Sequence, residues 1–179
     1  MSQPPNAERS STPGPDTGHG ATTPAGSAAA RSQWPDPVRR AVQFFETVTP
    51  ESAAEAAHLY AADAWFRDPF NELRGAGAIG RVFTHMFEQV HEPRFAVIDA
   101  IVGADEVFLT WDFTFRLRRG DVRRRRRIHG SSHLRFDAQG RIAYHRDYWD
   151  AAELYSMLPG IGTLLRWLQR QAAAPSSRT

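Results

Sequence analysis

The sequence predicts an α+β fold in which helices come first and an antiparallel sheet follows. Apolar residues recur at helical spacing as far as residue 90, and from residue 94 they recur at every second position. Glycine-containing turns separate the later segments, which is typical of hairpins. Helices followed by hairpin-connected strands indicate a helical layer packed on a strongly curved antiparallel sheet.

Three helices are predicted before the sheet. The first begins near Asp36, a suitable N-cap, and ends near residue 48. Thr49 is expected to cap the second helix, in which Ala53, Ala57 and Tyr60 lie on one face. The third helix carries a wide apolar stripe over residues 79–90. A short strand over residues 64–68 is expected between the second and third helices.

Four longer strands are predicted to form the rest of the sheet. They cover residues 94–103, 106–117, 122–136 and 141–149. Residues 118–121 are expected to turn one hairpin, and the stretch FDAQGR another, with Gly140 at the position that requires a positive φ. Alternate residues of the second of these strands form an apolar face that should be buried: Leu109, Trp111, Phe113, Phe115 and Leu117.

The chain is expected to contain one domain, over residues 34–172. Residues 1–33 consist mainly of Pro, Gly, Ser, Thr and Ala and are expected to be disordered, and residues 173–179 to be frayed. The tail lacks the basic start and apolar centre of a signal peptide. No run of about 18 apolar residues indicates a membrane span.

Composition excludes several classes of site. The chain contains no cysteine, which excludes disulfide bonds and thiolate metal sites. The histidines lack the spacing of a metal site, so neither a metal nor a cofactor is expected. A formal net charge of +2 does not indicate nucleic-acid binding, and a cytoplasmic protein is the default expectation.

Two basic segments have alternative interpretations. The run Arg123–Arg127 is typical of a solvated strand edge that resists aggregation, or of a ribbon that binds phosphate groups. A helical segment is expected from Asp150, and Pro159 and Gly160 interrupt this helix. The terminal stretch LPGIGTLLRWLQRQ contains the interruption. It is expected to pack over one end of the fold, with peripheral membrane contact as the alternative.

Titratable residues at the ends of two strands are the candidates for chemistry. In LYAADAWFRDPF, Asp68 precedes a proline and is either a turn-forming acid or a carboxylate in a pocket wall. In the last strand, His145, Asp147 and Trp149 share one face. The residues themselves leave open which face of that strand is inward, because a bulge near Gly140 can reverse the alternation.

Three stretches resemble a known family: LYAADAWFRDP, RGAGAIGRVF and HLRFDAQGRIAYHRDYW. Residues 36–150 are similar to the cone-shaped fold of nuclear transport factor 2. Its enzyme relatives include ketosteroid isomerase, the SnoaL polyketide cyclases and scytalone dehydratase. The resemblance implies that the face with His145, Asp147 and Trp149 points into the cone.

The resemblance also implies roles for individual residues. Asp68 matches the general base of ketosteroid isomerase, and Asp147 lies near the acid/base aspartate of the SnoaL cyclases. Phe45 and Ser132 stand where the isomerase has its two oxyanion donors, which argues against ordinary 3-ketosteroid isomerisation because losing one such donor costs about 10²–10³ in rate.

The resulting expectation is a SnoaL-like domain that binds a small apolar molecule. The chemistry implied is cofactor-free isomerisation, cyclisation or dehydration of a carbonyl compound, with Asp68 or Asp147 as base, His145 as donor and Ser132 as auxiliary donor. The alternative is a non-catalytic binding or protein-interaction module. A homodimer through the outer face of the sheet is also expected. The residues expected to line the cone are Phe45, Phe66, Trp111, Phe113, Leu134 and Trp149.

Overall fold

The computed structural model describes residues 28–118 and 122–157. Its helices are α1 (Ala28–Arg31), α2 (Asp36–Thr47), α3 (Ala76–Gln89) and α4 (Ala151–Ser156), with a 3₁₀ helix over Ala53–Leu59. Its strands are β1 (Tyr60–Arg67), β2 (Glu72–Arg74), β3 (Val90–Val102), β4 (Glu106–Leu117), β5 (Arg125–Phe136) and β6 (Ile142–Trp149). Residues 119–121 of the hairpin turn predicted at 118–121, and the terminal stretch from residue 158, lie outside the described residues.

The six strands form one curved sheet in the order β2-β1-β6-β5-β4-β3. The four predicted long strands are present as β3 to β6, and each pairs antiparallel with its sequence neighbour. The β5–β6 turn is as predicted, because Gly140 has a φ of 72°. The α+β class is therefore confirmed.

The first strand corrects the expectation of a purely antiparallel sheet. β1 runs parallel to β6, with Phe66 opposite His145 and Arg67 opposite Arg146. A parallel neighbour requires a long connection rather than a hairpin, and here α3 and four strands separate β1 from β6 in the chain. The C-terminal ends of β1 and β6 consequently lie side by side.

The segment predicted as the second helix is a 3₁₀ helix that ends earlier than expected. Thr49 and Ser52 exchange hydrogen bonds before it begins, since the Ser52 amide donates to Thr49 Oγ1 and the Thr49 amide donates to Ser52 Oγ. Tyr60, which was assigned to the apolar face of this helix, is instead the first residue of β1 and is buried. The strand is therefore longer than the predicted 64–68.

Residues at the start of the described chain are ordered before residue 34. Arg31 in α1 forms an ion pair of 2.8 Å with Glu46 on α2 and also donates to the carbonyl of Val97 on β3. The Glu46 carboxylate accepts from the Val97 amide at 2.9 Å. This half-buried carboxylate needs a positive partner, so the ordered region extends into the segment predicted as tail.

The helices close one end of the sheet. Arg40 on α2 donates to the carbonyl of Gly140 in the β5–β6 turn at 3.0 Å, which places α2 over this end. Leu134 and Ile142 near that turn are fully buried, with exposed fractions of 0 and 1%. No described helix combines the length and apolar composition needed to cross a bilayer.

The arginine run lies on β5 and the turn before it. Arg125 pairs with Glu92 at 2.9 Å, and Arg127 pairs with Asp112 at 3.2 Å, both on the outer face of the sheet. Each of these carboxylates also contacts a second basic residue, Arg116 or His129. Acidic neighbours therefore balance part of the charge that the sequence presents as a continuous basic stretch.

Candidate functional site

A cavity of about 480 Å³ lies between the concave face of the sheet and α3. Its wall is mostly aromatic and aliphatic, with a few polar residues. The lining residues are Phe45, Phe66, Asp68, Phe70, Asn71, Val82, Phe83, His85, Met86, Gln89, Val90, Phe95, Val97, Trp111, Phe113, Phe115, Ile128, Ser132, His145, Asp147, Trp149 and Leu154.

Asp147 on β6 is the centre of a hydrogen-bond chain in the cavity wall. Its Oδ1 accepts from Ser132 Oγ at 2.5 Å, and His145 Nε2 lies 2.8 Å from the same oxygen. Ser132 is the direct cross-strand partner of Asp147, and His145 precedes Asp147 by two residues on the same face of β6. Antiparallel register thus brings the three side chains together.

Tyr60 contacts the ring nitrogen of His145 that does not face Asp147. Its hydroxyl lies 2.7 Å from His145 Nδ1, and the exposed fractions of Tyr60 and His145 are only 2 and 3%. Burial raises the pKa of the Tyr60 hydroxyl well above its usual range, and the negative charge of Asp147 adds to the increase. Tyr60 therefore keeps its proton, and it donates to Nδ1 when His145 is neutral and its Nε2–H faces the Asp147 carboxylate.

The opposite end of the chain begins at Trp111 on β4. Its indole Nε1, which can only donate, contacts Ser132 Oγ at 2.8 Å. The ring reaches Ser132 by lying across Gly130, its cross-strand partner, and a Cβ at Gly130 would overlap the indole. Glycine at this position is therefore required by the close approach of the ring.

The two ends fix the direction of every proton in the chain. Because Trp111 donates to Ser132, the serine hydroxyl is left to donate to Asp147. Because Tyr60 donates to Nδ1, a neutral His145 carries its proton on Nε2 and donates it to Asp147. All donors converge on Oδ1, and Oδ2 accepts no hydrogen bond from any described residue.

Asp68 follows β1 and makes the contacts of a turn-forming acid. Its Oδ1 accepts from the amides of Phe70 and Asn71 at 2.7 and 2.6 Å, and the Asn71 side chain contacts both of its oxygens at 3.0 Å. Asp68 also borders the cavity. Asp68 is therefore both a turn-forming acid and a residue of the cavity wall. The hydrogen bonds of the turn occupy most of the acceptor capacity of its carboxylate.

A shallower depression of about 270 Å³ shares Asp68 and Asp147 with the cavity. Arg67 and Arg146 border this depression as well. Within the described chain, Arg67 pairs with Glu72 and Arg146 lies over the ring of Tyr148, and neither forms an ion pair with Asp68 or Asp147. The two aspartates thus lie at a wall that separates the cavity from the surface.

Most of the residues predicted to line the cone border the cavity, and one does not. Phe45, Phe66, Phe113 and Trp149 contribute to the wall together with Trp111 and Ser132. Leu134 is inward but completely buried at the end of the sheet that α2 covers, so the prediction that it lines the cavity is wrong.

The structure also changes the part expected of Ser132. The serine was expected to offer a proton to the ligand, but that proton is donated to Asp147. Tyr60 was not predicted as a site residue, because its spacing from the preceding apolar residues fits a helix, whereas Tyr60 begins a strand. Burial of His133 was missed as well: it lies on the outer face, stacks on Phe108 with ring centres 4.3 Å apart, and contacts Glu106.

Among the described residues, no group of three or more His, Cys, Asp or Glu side chains is arranged to hold a metal ion. The wall offers two carboxylates, two imidazoles that are already hydrogen-bonded, the side-chain amides of Asn71 and Gln89, and aromatic rings. Its chemistry is therefore that of proton acceptors in an apolar space.

Comparison with solved structures identifies the same fold in proteins of several activities. A hypothetical protein with a ketosteroid isomerase-like fold from Catenulispora acidiphila, in complex with trimethylamine, is 14% identical, with a TM-score of 0.59 over 68% of this chain and 91% of that one. A putative SnoaL-like polyketide cyclase from Shewanella putrefaciens is 18% identical, with a TM-score of 0.57 over 68 and 95% of the two chains. An epoxide hydrolase of Mycobacterium tuberculosis is 16% identical, with a TM-score of 0.53 over 76 and 92%.

No curated protein matches the chain significantly. A family model does match: the model of the SnoaL-like domain covers residues 41–145, which is more than half of the chain. This range includes most of the cavity wall and ends two residues before Asp147. The chain therefore belongs to the SnoaL-like domain family.

Proposed function

We propose that the cavity binds a small, largely apolar molecule and that Asp147 removes a proton from it without a cofactor. The reaction class is isomerisation, cyclisation or dehydration. The observation that carries the proposal is the state of the Asp147 carboxylate: Oδ1 is held by Ser132 and His145, while Oδ2 has no partner among the described residues. A base held in one orientation, with one free oxygen beside a cavity, suits proton transfer from a bound molecule.

His145 acts in this proposal as a positioning residue and a proton reservoir. Its Nε2–H holds Oδ1, so the proton taken by Asp147 arrives at the other oxygen. Tyr60 keeps the imidazole in the tautomer that donates to Asp147. Asp68 is the second candidate base, but its turn contacts make it the weaker one. At their level of identity, the structural neighbours support the fold and do not select among reactions.

Exchange of carbon-bound hydrogen for deuterium tests the proton transfer without knowledge of the natural substrate. The protein is incubated in D₂O with a panel of cyclic enones and polyketide-like methyl esters, and exchange is followed by NMR. We expect Asp147→Asn to lower the enzyme-dependent rate by about 10²–10⁴, the usual contribution of a general base.

Asp63→Asn is the matched control, since Asp63 is exposed on β1 and does not border the cavity. Asp68→Asn is expected to have a smaller effect than Asp147→Asn. Equal rates for the wild-type protein and Asp147→Asn would contradict the assignment of the base.

A non-catalytic binding protein is the second candidate, and one observation favours it. The protons of Trp111, Ser132 and His145 are all donated within the wall, so none is free to stabilise a developing oxyanion. This candidate predicts that a ligand co-purifies with the protein and that no panel compound exchanges. Native mass spectrometry of the purified chain, followed by the exchange assay with the released ligand, separates the two functions.

A further inference from the structure

We propose that the molecule bound in the cavity is an organic cation, such as a tertiary or quaternary ammonium or an iminium ion. This inference rests on the proposed function, because it names the class of molecule that occupies the same site. Three features of the cavity wall support it: its charge, its hydrogen bonds and its aromatic side chains.

The described part of the wall is acidic and contains no arginine. All 22 residues of the Lys and Arg types in this chain are arginine, and no arginine of the described segments is among the lining residues, whereas Asp68 and Asp147 are. His85 also borders the cavity, but it is exposed and pairs with Glu88 at 3.1 Å. A ligand that entered this space as an anion would meet two carboxylates and no opposing guanidinium.

Around Asp147 the described wall offers acceptors and no free donor. The N–H of Trp111 goes to Ser132, the hydroxyl of Ser132 goes to Asp147, and the Nε2–H of His145 goes to Asp147. Oδ2 of Asp147 is the unoccupied polar atom at the centre of this chain. This oxygen is not among the buried side-chain atoms that lack a partner in the described chain, so it is accessible and a bound cation can pair with it.

Aromatic side chains make up much of the remaining wall. Nine of the 22 lining residues are Phe or Trp. The faces of these rings carry negative potential, which attracts cations, and alkylated ammonium groups add apolar contact with the same rings. A cavity that combines aromatic rings with carboxylates therefore favours a cation over a neutral molecule of the same shape.

A cationic substrate also removes the need for an oxyanion donor. When a carbon next to an iminium group loses its proton, the C–H bond breaks and the proton moves to Asp147 Oδ2. The C–H electron pair forms a C=C bond, and the π pair of the C=N⁺ bond becomes the nitrogen lone pair. The product is a neutral enamine, no negative charge develops on oxygen, and no oxidant or reductant takes part.

Two probes of equal shape test the inference: benzyltrimethylammonium and 2,2-dimethylpropylbenzene, in which carbon replaces the charged nitrogen. Each is titrated into the full chain, and the indole resonances are followed by NMR, because Trp111 and Trp149 border the cavity. We expect the cation to bind at least about tenfold more tightly than the neutral probe. In Asp147→Asn we expect the preference to fall by about tenfold, and in the Asp63→Asn control to persist.

The outcomes separate this inference from the proposed function. Equal or tighter binding of the neutral probe by the wild-type protein overturns the inference and leaves proton transfer by Asp147 standing. A cation preference that is unchanged in Asp147→Asn overturns the assignment of the cation to that carboxylate. Failure of both probes to bind overturns the inference and also the binding function on which it rests. The comparison of the two probes in the wild-type protein requires no variant to fold.

Discussion

Two histidine–carboxylate pairs lie on opposite faces of the same sheet. On the outer face, His133 Nε2 is 2.8 Å from Glu106, and on the inner face, His145 Nε2 is 2.8 Å from Asp147. Glu106 is 44% exposed and also contacts Arg135, whereas Asp147 is 19% exposed and pairs with no arginine in the described part of the chain. The distances are equal, so the surroundings alone distinguish a surface ion cluster from a candidate base.

The outer pair behaves as a solvated cluster. The hydrogen bond from His133 is the largest cause of a lowered pKa for Glu106, and Arg135 contributes to the same shift. The inner pair is instead extended by neutral donors, Tyr60 at one end and Ser132 with Trp111 at the other. Neutral donors orient a carboxylate without cancelling its charge, and this leaves it able to accept a proton.

The largest loss of stability is expected at the point where the inner chain begins. Gly130→Ala places a Cβ inside the Trp111 ring, which must move and lose its contact with Ser132. We expect a decrease in the free energy of unfolding of about 1–3 kcal/mol, measured by urea denaturation.

Gly77→Ala is the matched control, because the only neighbour of its Cβ is the flexible end of Arg81 at 4.0 Å. On α3 this change is expected to stabilise the protein by up to about 1 kcal/mol. A similar effect of both changes would show that the Trp111 ring is not held in place.

A second change removes one hydroxyl from each face. Tyr60→Phe leaves Nδ1 of the buried His145 without a donor, and we expect the free energy of unfolding to fall by about 1–3 kcal/mol. Tyr144→Phe is the outer control, since its hydroxyl contacts no described residue, and it is expected to change stability by no more than about 0.5 kcal/mol.

The pH dependence sharpens this prediction. The folded-state pKa of Tyr60 is raised, so its contribution is complete below the usual tyrosine value of about 10 and is lost as the pH rises above it. Tyr60→Phe should therefore flatten the decline of stability above about pH 10. An unchanged decline would mean that another group causes it.

The smallest effect is expected on the outer face. The pKa of Glu106 is lowered in the folded state, so its contribution is present above the usual glutamate value of about 4.3 and is lost as the pH falls through the lowered value. Glu106→Gln should cost a little stability at neutral pH and nothing in acid, measured by denaturation at both pH values. Glu55→Gln, at an exposed glutamate of the 3₁₀ helix, should have no such pH dependence. A loss from Glu106→Gln that persists in acid would contradict the surface interpretation.

Local patterns predicted much of the fold. The four long strands and the Gly140 turn were found because alternation and turn chemistry act between near neighbours in the chain. The inward direction of His145, Asp147 and Trp149 came from the family resemblance. Tyr60 was missed because three apolar positions, Ala53, Ala57 and Tyr60, fit a helical spacing although the chain becomes extended at residue 60. Leu134 was placed correctly on its strand, and only the packing of α2 over that end removed it from the cavity.

The sequence by itself determined the order of the long strands, the buried face of β4 and the resemblance to the family. Those properties depend on contacts between residues that are close in the chain or on adjacent hairpin strands. Tertiary structure alone decided that β1 runs parallel to β6, which brings Asp68 beside Asp147 and Tyr60 beneath His145. Pairing between strands about 80 residues apart leaves no period in the sequence, because it depends on how the whole sheet curves around its core.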